Sequence, residues 1–218
     1  MSVYEKMTAI ADAIREKTGG TDALTLDGMA AAVPEVYNAG AQTEYDKFWD
    51  TFQRNGSRTN YNRAFFTETM AESGWNDDNY NPKYPIVTTA ATQTFWCALI
   101  TSTKVPVTLK DGCNANLMFG SCTKLVNIPK LILEGTVSSW TNAFITCHAL
   151  EEINIEGVID KDISFSNSSK LTYQSLMNII ECLGTVALTK TLTLGTENLA
   201  KLTDAEKAIA TEKGWSLA

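Results

Sequence analysis

The chain has 218 residues, of which 44% are hydrophobic, which is enough for one sizeable domain or two small ones with a packed core. Its 18 basic and 25 acidic residues give a net charge of −7, which opposes the phosphate backbone of nucleic acids and the surface of anionic membranes. These values exclude a mostly disordered chain, and they argue against nucleic acid as a main partner.

The first twenty residues, MSVYEKMTAIADAIREKTGG, predict a short amphipathic helix. Ser2 and Glu5 form a capping box, apolar residues follow at helical intervals, and Gly19 ends the pattern. Because acidic residues interrupt the apolar positions, the segment fits neither a signal peptide nor a membrane span. We therefore expect synthesis in a cytoplasm and no membrane insertion.

Two further helices are predicted in the N-terminal third. One lies in LTLDGMAAAV and ends at Pro34, and the other runs from about Glu35 to Gln53. The apolar stripe of the third helix suits packing on its neighbours, and it also suits a short self-associating bundle. The candidate oligomerisation residues on this stripe are Tyr45, Phe48, Trp49 and Phe52.

The next stretch, FQRNGSRTNYNRAFF, interleaves Arg54, Arg58 and Arg63 with aromatic residues. Two interpretations stay open: a patch that binds a carboxylate or a sugar through bidentate hydrogen bonds and stacking, or a solvated connector whose guanidinium groups pair with nearby acids. The following WNDDNYNPKYP favours turns, and the acidic residues from Asp77 lack the alternating spacing of a calcium loop.

The strongest pattern in the sequence is a repeat. MFGSCTKLVNI, from position 118, and AFITCHALEEI, from position 143, match at an offset of 25 residues. A period of this length predicts that one structural unit stacks on the next, so that equivalent side chains form ladders in a shared core. The matched pairs are Phe119 and Phe144, Cys122 and Cys147, Leu125 and Leu150, and Ile128 and Ile153, with a degenerate upstream copy in Phe95, Ile100, Val107 and Leu109.

Beyond the repeats, the pattern predicts a strand at Ile163 to Phe165, a helix from Leu171 to Leu183 with Thr172 as its cap, and a strand from Thr191 to Leu194. A capping box at Thr203 to Glu206 begins the last helix, which ends at Gly214 and is expected to cover the open end of the repeats.

The five cysteines are odd in number and show no C-x-x-C spacing. Their apolar neighbours in the repeats favour buried, reduced thiols, while disulfide and zinc sites remain as alternatives. The cysteines are Cys97, Cys113, Cys122, Cys147 and Cys182.

Two resemblances follow from these segments. MFGSCTKLVNIPKLILEG and AFITCHALEEINIEG resemble leucine-rich repeats of the BspA type. IADAIREKTGGTDALTLDGMAAAVPEV and the segments up to GWNDDNYNPKY are similar to structural and tail-associated proteins of phages and prophages of gut Firmicutes. Surface adhesins with such repeats carry a secretion signal, which is not seen here, so the phage interpretation is favoured.

The expected fold class is α+β, with an N-terminal helical segment followed by a short leucine-rich-repeat-like β-solenoid and a C-terminal capping helix. The predicted organisation is a helical attachment or oligomerisation region at 1–55, a connector at 56–85 and the repeat domain with its cap at 86–218.

The resemblance implies a non-enzymatic virion protein, a tail-fibre or host-recognition component, which is made in the host cytoplasm and assembled into the virion. The alternatives are a structural capsid or baseplate decoration protein and a bacterial surface adhesin. The implied partners are other virion proteins, a host surface protein or glycan, and sister chains, with a trimer favoured.

No motif indicates an enzyme, a cofactor or a metal. His148 is the only histidine, adjacent Glu151 and Glu152 point to opposite faces of a strand, and no phosphate-binding glycine loop occurs. The candidate contact residues are those that the ladder does not require. They are Trp140, Asn142, His148, Lys124 and Asn127, together with the arginines Arg54, Arg58 and Arg63.

Overall fold

A computed structural model describes Asp12, Glu16, residues 47–67 and residues 74–218. It forms two compact units, Met1–Phe52 and Gln53–Ala218. In the first unit, Asp12 and Glu16 are helical and exposed, and residues 47–52 are helical. The predicted helix start at Ser2, the predicted second helix and the third helix up to residue 46 lie outside the described residues.

Among the described residues of the second unit, there are two parallel sheets and three short α-helices. The four-stranded sheet has the order β1-β2-β3-β4, and the three-stranded sheet has the order β5-β6-β7. The strands are β1 (Ile86–Thr88), β2 (Val107–Lys110), β3 (Asn127–Glu134), β4 (Glu152–Glu156), β5 (Ile163–Ser164), β6 (Lys190–Thr193) and β7 (Trp215–Leu217). The helices are α1 (Tyr173–Glu181), α2 (Thr196–Leu199) and α3 (Asp204–Glu212), and a 3-10 turn spans Arg54–Gly56.

The sequence period sets the strand register. Val107 pairs with Leu131 and Leu109 pairs with Leu133, so the 24-residue offset places equivalent residues side by side. Ile128 pairs with Ile153 across the next strand pair. These inward-facing residues are buried, while their neighbours in β4, such as Asn154, are exposed. Ile128 and Ile153, which the predicted repeat matches, therefore lie side by side as the period predicts.

The fold class expected from the sequence is wrong. The second unit is not an α+β repeat domain that ends in a capping helix; it consists of parallel sheets of four and three strands with few helices, an α/β-like arrangement. The residues after α3 form β7, which pairs in parallel with β6 through Lys190 and Trp215. The last helix therefore precedes an edge strand and does not close the chain.

Gly214 explains this difference. Its φ of +89° turns the chain from the end of α3 into β7, and a Cβ atom there would lie 2.6 Å from the carbonyl oxygen of Val186. A glycine after a helix is also the usual helix stop, so the sequence pattern does not distinguish a final helix from a helix that returns to a sheet.

A ladder of five phenylalanine rings runs through the core of the second unit. The rings of Phe65, Phe95, Phe119, Phe144 and Phe165 stack in this order, with successive centroids 5.0, 5.2, 5.4 and 4.5 Å apart. The predicted stacking of Phe119 on Phe144 is confirmed. Since Phe144 belongs to the turn before β4 and Phe165 follows β5, the ladder continues across both sheets. Phe65, the first ring, lies within the segment predicted to be a connector.

The turns that carry these rings are also joined by backbone hydrogen bonds. Leu117 N donates to the carbonyl oxygen of Thr141, and Phe119 N donates to that of Ala143, each at 2.9 Å. Equivalent residues of successive turns adopt the same left-handed conformation, with φ of 55° at Gln93, Leu117 and Asn142. Non-glycine residues rarely adopt this conformation, so its recurrence shows that the hydrogen bonds between turns impose the backbone path.

Helix α1 closes the outer edge of β4. The backbone N–H of Ile153 donates to Ser175 Oγ at 3.1 Å, and that of Ile155 donates to Asn178 Oδ1 at 2.6 Å. Asn178 Nδ2 donates in return to the carbonyl oxygen of Ile155 at 3.0 Å. These side chains hydrogen-bond to the backbone N–H and C=O groups with which a fifth strand would pair, and this is why the first sheet ends at β4. The predicted Thr172 cap is confirmed, because its side chain accepts a hydrogen bond from Ser175 N.

We predict that Phe119→Ala lowers the free energy of unfolding by about 3–5 kcal/mol, because it removes a fully buried ring from the middle of the ladder. Urea denaturation measures this change. Leu188→Ala is the control, since Leu188 is 77% exposed and its truncation should change stability by less than about 0.5 kcal/mol. Equal effects of the two substitutions would contradict a stabilising ladder.

We further predict that Asn178→Ala destabilises the second unit by about 1–3 kcal/mol, because it removes the side-chain acceptor of the Ile155 N–H and one of the two side-chain donors to the Ile155 C=O. Faster hydrogen exchange at the Ile155 amide and self-association through the opened edge should accompany this loss. Asn154→Ala is the matched control, since the exposed Asn154 side chain makes no hydrogen bond within the described residues. Unchanged exchange at Ile155 would count against edge closure.

Candidate functional site

The predicted contact residues of the repeats do not form a single patch. Trp140 is buried, with 2% of its surface exposed, and its indole Nε1 has no hydrogen-bond partner among the residues that the structure describes. Asn142, His148 and Lys124 are exposed, and Asn127 is half-buried at the start of β3. His148 Nδ1 lies 3.1 Å from the carbonyl oxygen of Asn167.

Two arginines of the predicted binding patch contact neighbouring aromatic rings. Arg58 Nε donates to the carbonyl oxygen of Asn60 at 2.9 Å, and its guanidinium lies 5.0 Å from the ring centre of Tyr61. The guanidinium of Arg63 lies 3.9 Å from the ring centre of Phe66. Arg54 is exposed in the 3-10 turn. Burial lowers the pKa of Arg58. Stacking on neighbouring rings accounts for the arrangement of Arg58 and Arg63 without a ligand.

The candidate oligomerisation residues lie in the first unit. Phe48 is 45% exposed, Phe52 is half-buried, and their rings stack with centroids 5.7 Å apart. Trp49 is buried. Tyr45 lies outside the described residues. Phe48 is therefore the most exposed aromatic side chain of this group in the part of the chain that the structure describes.

Side chains of the acidic turn near residue 77 accept hydrogen bonds from backbone N–H groups. Asp77 Oδ1 accepts a hydrogen bond from Thr101 N at 3.0 Å, and Asn76 Oδ1 accepts one from Asp78 N at 2.9 Å. Within residues 47–67 and 74–218, together with Asp12 and Glu16, no group of three or more histidine, cysteine or acidic residues is placed to hold a metal ion. The side chains of this turn thus stabilise its backbone.

The thiol beside the only histidine is poorly suited to nucleophilic chemistry. Cys147 Sγ donates to the carbonyl oxygen of Phe119 at 3.0 Å, and Cys122 Sγ donates to that of Phe95 at 2.8 Å. Burial raises the pKa of Cys147 to about 12. Because the thiolate is the reactive form, this thiol is unreactive at neutral pH. These cysteines join successive turns of the ladder.

A surface depression with a volume of about 400 Å³ lies between β3, β4 and the first turn of α1. We call it the amide groove, because, besides Asn178, which bonds to Ile155 of β4, three further amide side chains and one carboxylate line it. These residues are Asn127, Asn154, Gln174 and Glu152. None of the four side chains makes a hydrogen bond or an ion pair within the described residues. They are therefore available to a ligand without any loss of internal contacts.

The strand register builds this groove. Asn127 pairs with Glu152 across β3 and β4, and a bulge between Ile128 and Leu131 interrupts the register next to them. The bulge contains Pro129, whose ring is exposed in the groove. Gln174 comes from α1, which Ser175 and Asn178 fix against β4. Three rigid elements therefore position the polar groups.

A second, shallower depression of about 260 Å³ contains the predicted residues Trp140 and Asn142. Hydroxyl side chains and Asp162 complete its lining, and Asp162 Oδ1 accepts a hydrogen bond from Thr191 N at 2.7 Å. A third depression, beside the acidic turn, includes Lys124. Four of the predicted contact residues are thus divided among three separate depressions, with Asn127 in the amide groove, while His148 and the three arginines line none of the three.

Comparisons with family models, with curated proteins and with solved structures found no match. The resemblances to BspA-type repeats and to phage tail proteins therefore stay predictions.

No helix among the described residues is long and apolar enough to cross a membrane.

Sequence reasoning did not single out Asn154, Gln174 or Glu152 as ligand-binding residues. Asn154 had a visible signal, because it is the outward-facing position between Ile153 and Ile155 in an alternating strand. No pattern in the sequence indicated Gln174, since its place in the groove depends on how α1 packs against β4.

We predict that iodoacetamide at pH 8 modifies Cys182 before the other four cysteines of the folded protein. Cys182 is half-exposed, whereas Cys97, Cys113, Cys122 and Cys147 are buried. Burial raises the pKa of Cys113 to about 11 and that of Cys147 to about 12, so their thiolates are scarce. Peptide mass spectrometry measures the order, and in urea all five should react. Equal modification of Cys147 and Cys182 in the folded protein would contradict the burial of the ladder thiols.

Proposed function

We propose that this protein is a non-enzymatic virion component that recognises a ligand on the host surface through the amide groove. The observation that carries the proposal is the set of four polar side chains in that groove, Asn127, Glu152, Asn154 and Gln174, which have no partner within the described residues. A preformed depression lined by available hydrogen-bonding groups favours binding, because the ligand need not order the site.

A binding role is favoured over catalysis by the chemistry of the second unit. The histidine Nδ1 contacts a backbone carbonyl oxygen, and the thiol beside it is buried. The groove contains one carboxylate, Glu152, so it offers no pair of carboxylates for general acid and base catalysis. Its groups are suited to hold a molecule and not to transform it.

The virion assignment rests on the resemblance of the N-terminal segments to tail-associated phage proteins. In this proposal, the first unit attaches the protein to other virion proteins or to sister chains, with a trimer favoured. The exposed ring of Phe48 supports an attachment surface, since a large aromatic side chain at an interface contributes much of the binding energy.

The test is competition for host cells with the phage that encodes the chain. Saturating purified protein should reduce phage adsorption, and the double variant Asn127→Ala/Asn154→Ala should compete about five- to 150-fold less well, since each lost hydrogen bond costs about 0.5–1.5 kcal/mol. Asn81→Ala is the matched control, because Asn81 is exposed and lies outside the groove. Unchanged adsorption at saturating wild-type protein would contradict host recognition and would favour a purely structural role in the particle.

A further inference from the structure

We propose that the amide groove binds a neutral saccharide ring that carries adjacent hydroxyl groups. This inference rests on the proposed function, because it names the class of ligand that the same groove recognises. Four features support it: the charge of the groove, the closed edge of β4, the hydrogen-bonding groups and the size of the groove.

The charge of the groove disfavours anionic and metal ligands. None of its ten lining residues is lysine or arginine, and Glu152 is the only acidic residue among them. The nearest strand lysine, Lys130, forms an ion pair with Glu156 at 2.8 Å. Phosphate, sulfate and acidic sugars would meet the carboxylate of Glu152 without a compensating cation. A hard cation such as Ca²⁺ prefers six to eight oxygen ligands, whereas the carboxylate of Glu152 and the amides of Asn127, Asn154 and Gln174 offer at most five side-chain oxygens.

The closed edge of β4 disfavours an extended peptide. A peptide that adds to a sheet needs a free row of backbone N–H and C=O groups. At β4, Ser175 accepts from Ile153 N, and Asn178 bonds both polar groups of Ile155. Cys182 Sγ also donates to the carbonyl oxygen of Ile155 at 3.2 Å. A peptide would have to displace these bonds before it forms its own.

The hydrogen-bonding groups of the groove match a polyhydroxylated ligand. Each primary amide of Asn127, Asn154 and Gln174 offers two donors and an acceptor, and the carboxylate of Glu152 offers acceptors only. Every sugar hydroxyl donates one hydrogen bond and accepts others. Two adjacent hydroxyls therefore satisfy both ends of one amide, and a further hydroxyl donates to the carboxylate. An apolar ligand would instead bury these four groups without partners, which is unfavourable.

The size and the floor of the groove agree with a ring-shaped ligand. Its volume of about 400 Å³ lies toward the lower end of ligand pockets, so it suits one or two sugar units. Pro129 adds an exposed apolar ring at the bulge, next to Asn154. A pyranose combines polar edges with apolar C–H faces, and the groove offers both kinds of surface.

The test is an NMR titration of the full-length chain, in which the side-chain NH₂ signals of Asn127, Asn154 and Gln174 are followed. The probes are glucose, galactose, mannose and their N-acetylamino forms, with inorganic phosphate and a tetra-alanine peptide as contrasting ligands. At least one neutral sugar should shift these signals. The shifts should saturate as the sugar concentration rises, and their size should differ between the sugars. Shifts with phosphate or peptide alone, or none with any sugar, would overturn the inference.

Two variants make the test specific. Asn154→Ala should weaken sugar binding about tenfold, as expected for the loss of one or two hydrogen bonds, while Asn81→Ala should bind as the wild type does. The amide spectrum of each variant shows whether it is folded. Equal affinity of folded Asn154→Ala and wild type would also overturn the inference.

The two proposals fail in different ways. If the purified protein blocks phage adsorption but no sugar shifts the amide signals, the saccharide inference is wrong and host recognition is supported. If a sugar shifts the signals but the protein does not block adsorption, the saccharide inference is supported and host recognition is wrong.

Discussion

Stacking of phenylalanine rings is the interaction on which the second unit depends. Each inner ring of the ladder contacts one ring above and one below, and all five are at most 1% exposed. Aromatic pairs contribute about 0.5–1.5 kcal/mol beyond the burial of their area, and the burial itself contributes more. Because the rings stack only when equivalent residues are adjacent, the ladder fixes the register of the strands that follow each ring.

That register determines where polar groups meet on the surface. Asn127 lies beside Glu152 because β3 and β4 pair in register, and the bulge next to them exposes Pro129. Helix α1 then contributes the wall of the amide groove while its Ser175 and Asn178 side chains close the sheet. The same packing that ends the first sheet thus builds the candidate site, so stability and recognition share one set of contacts.

The sequence predicted the elements that depend on local periodicity. The stacking of Phe119 on Phe144, the strand pairs and the Thr172 cap all follow from spacing within a short window. Phe65 was missed because it precedes Phe95 by 30 residues and not by 24 or 25. The return of the chain into β7 depends on tertiary packing of Trp215 after a glycine that also fits a helix end. The amide groove was missed, apart from Asn127, because it combines side chains from strands and a helix that only packing brings together.

The left-handed residues of the turns have a consequence for how such a surface diversifies. Backbone hydrogen bonds to the next turn hold Gln93 and Leu117 in the same left-handed conformation, although one side chain is an amide and the other an isobutyl group. The chain path at these positions is thus insensitive to side-chain chemistry. Substitutions at these two positions should therefore leave the rings beneath them in place, so that the exterior of the turns can change while the interior stays constant.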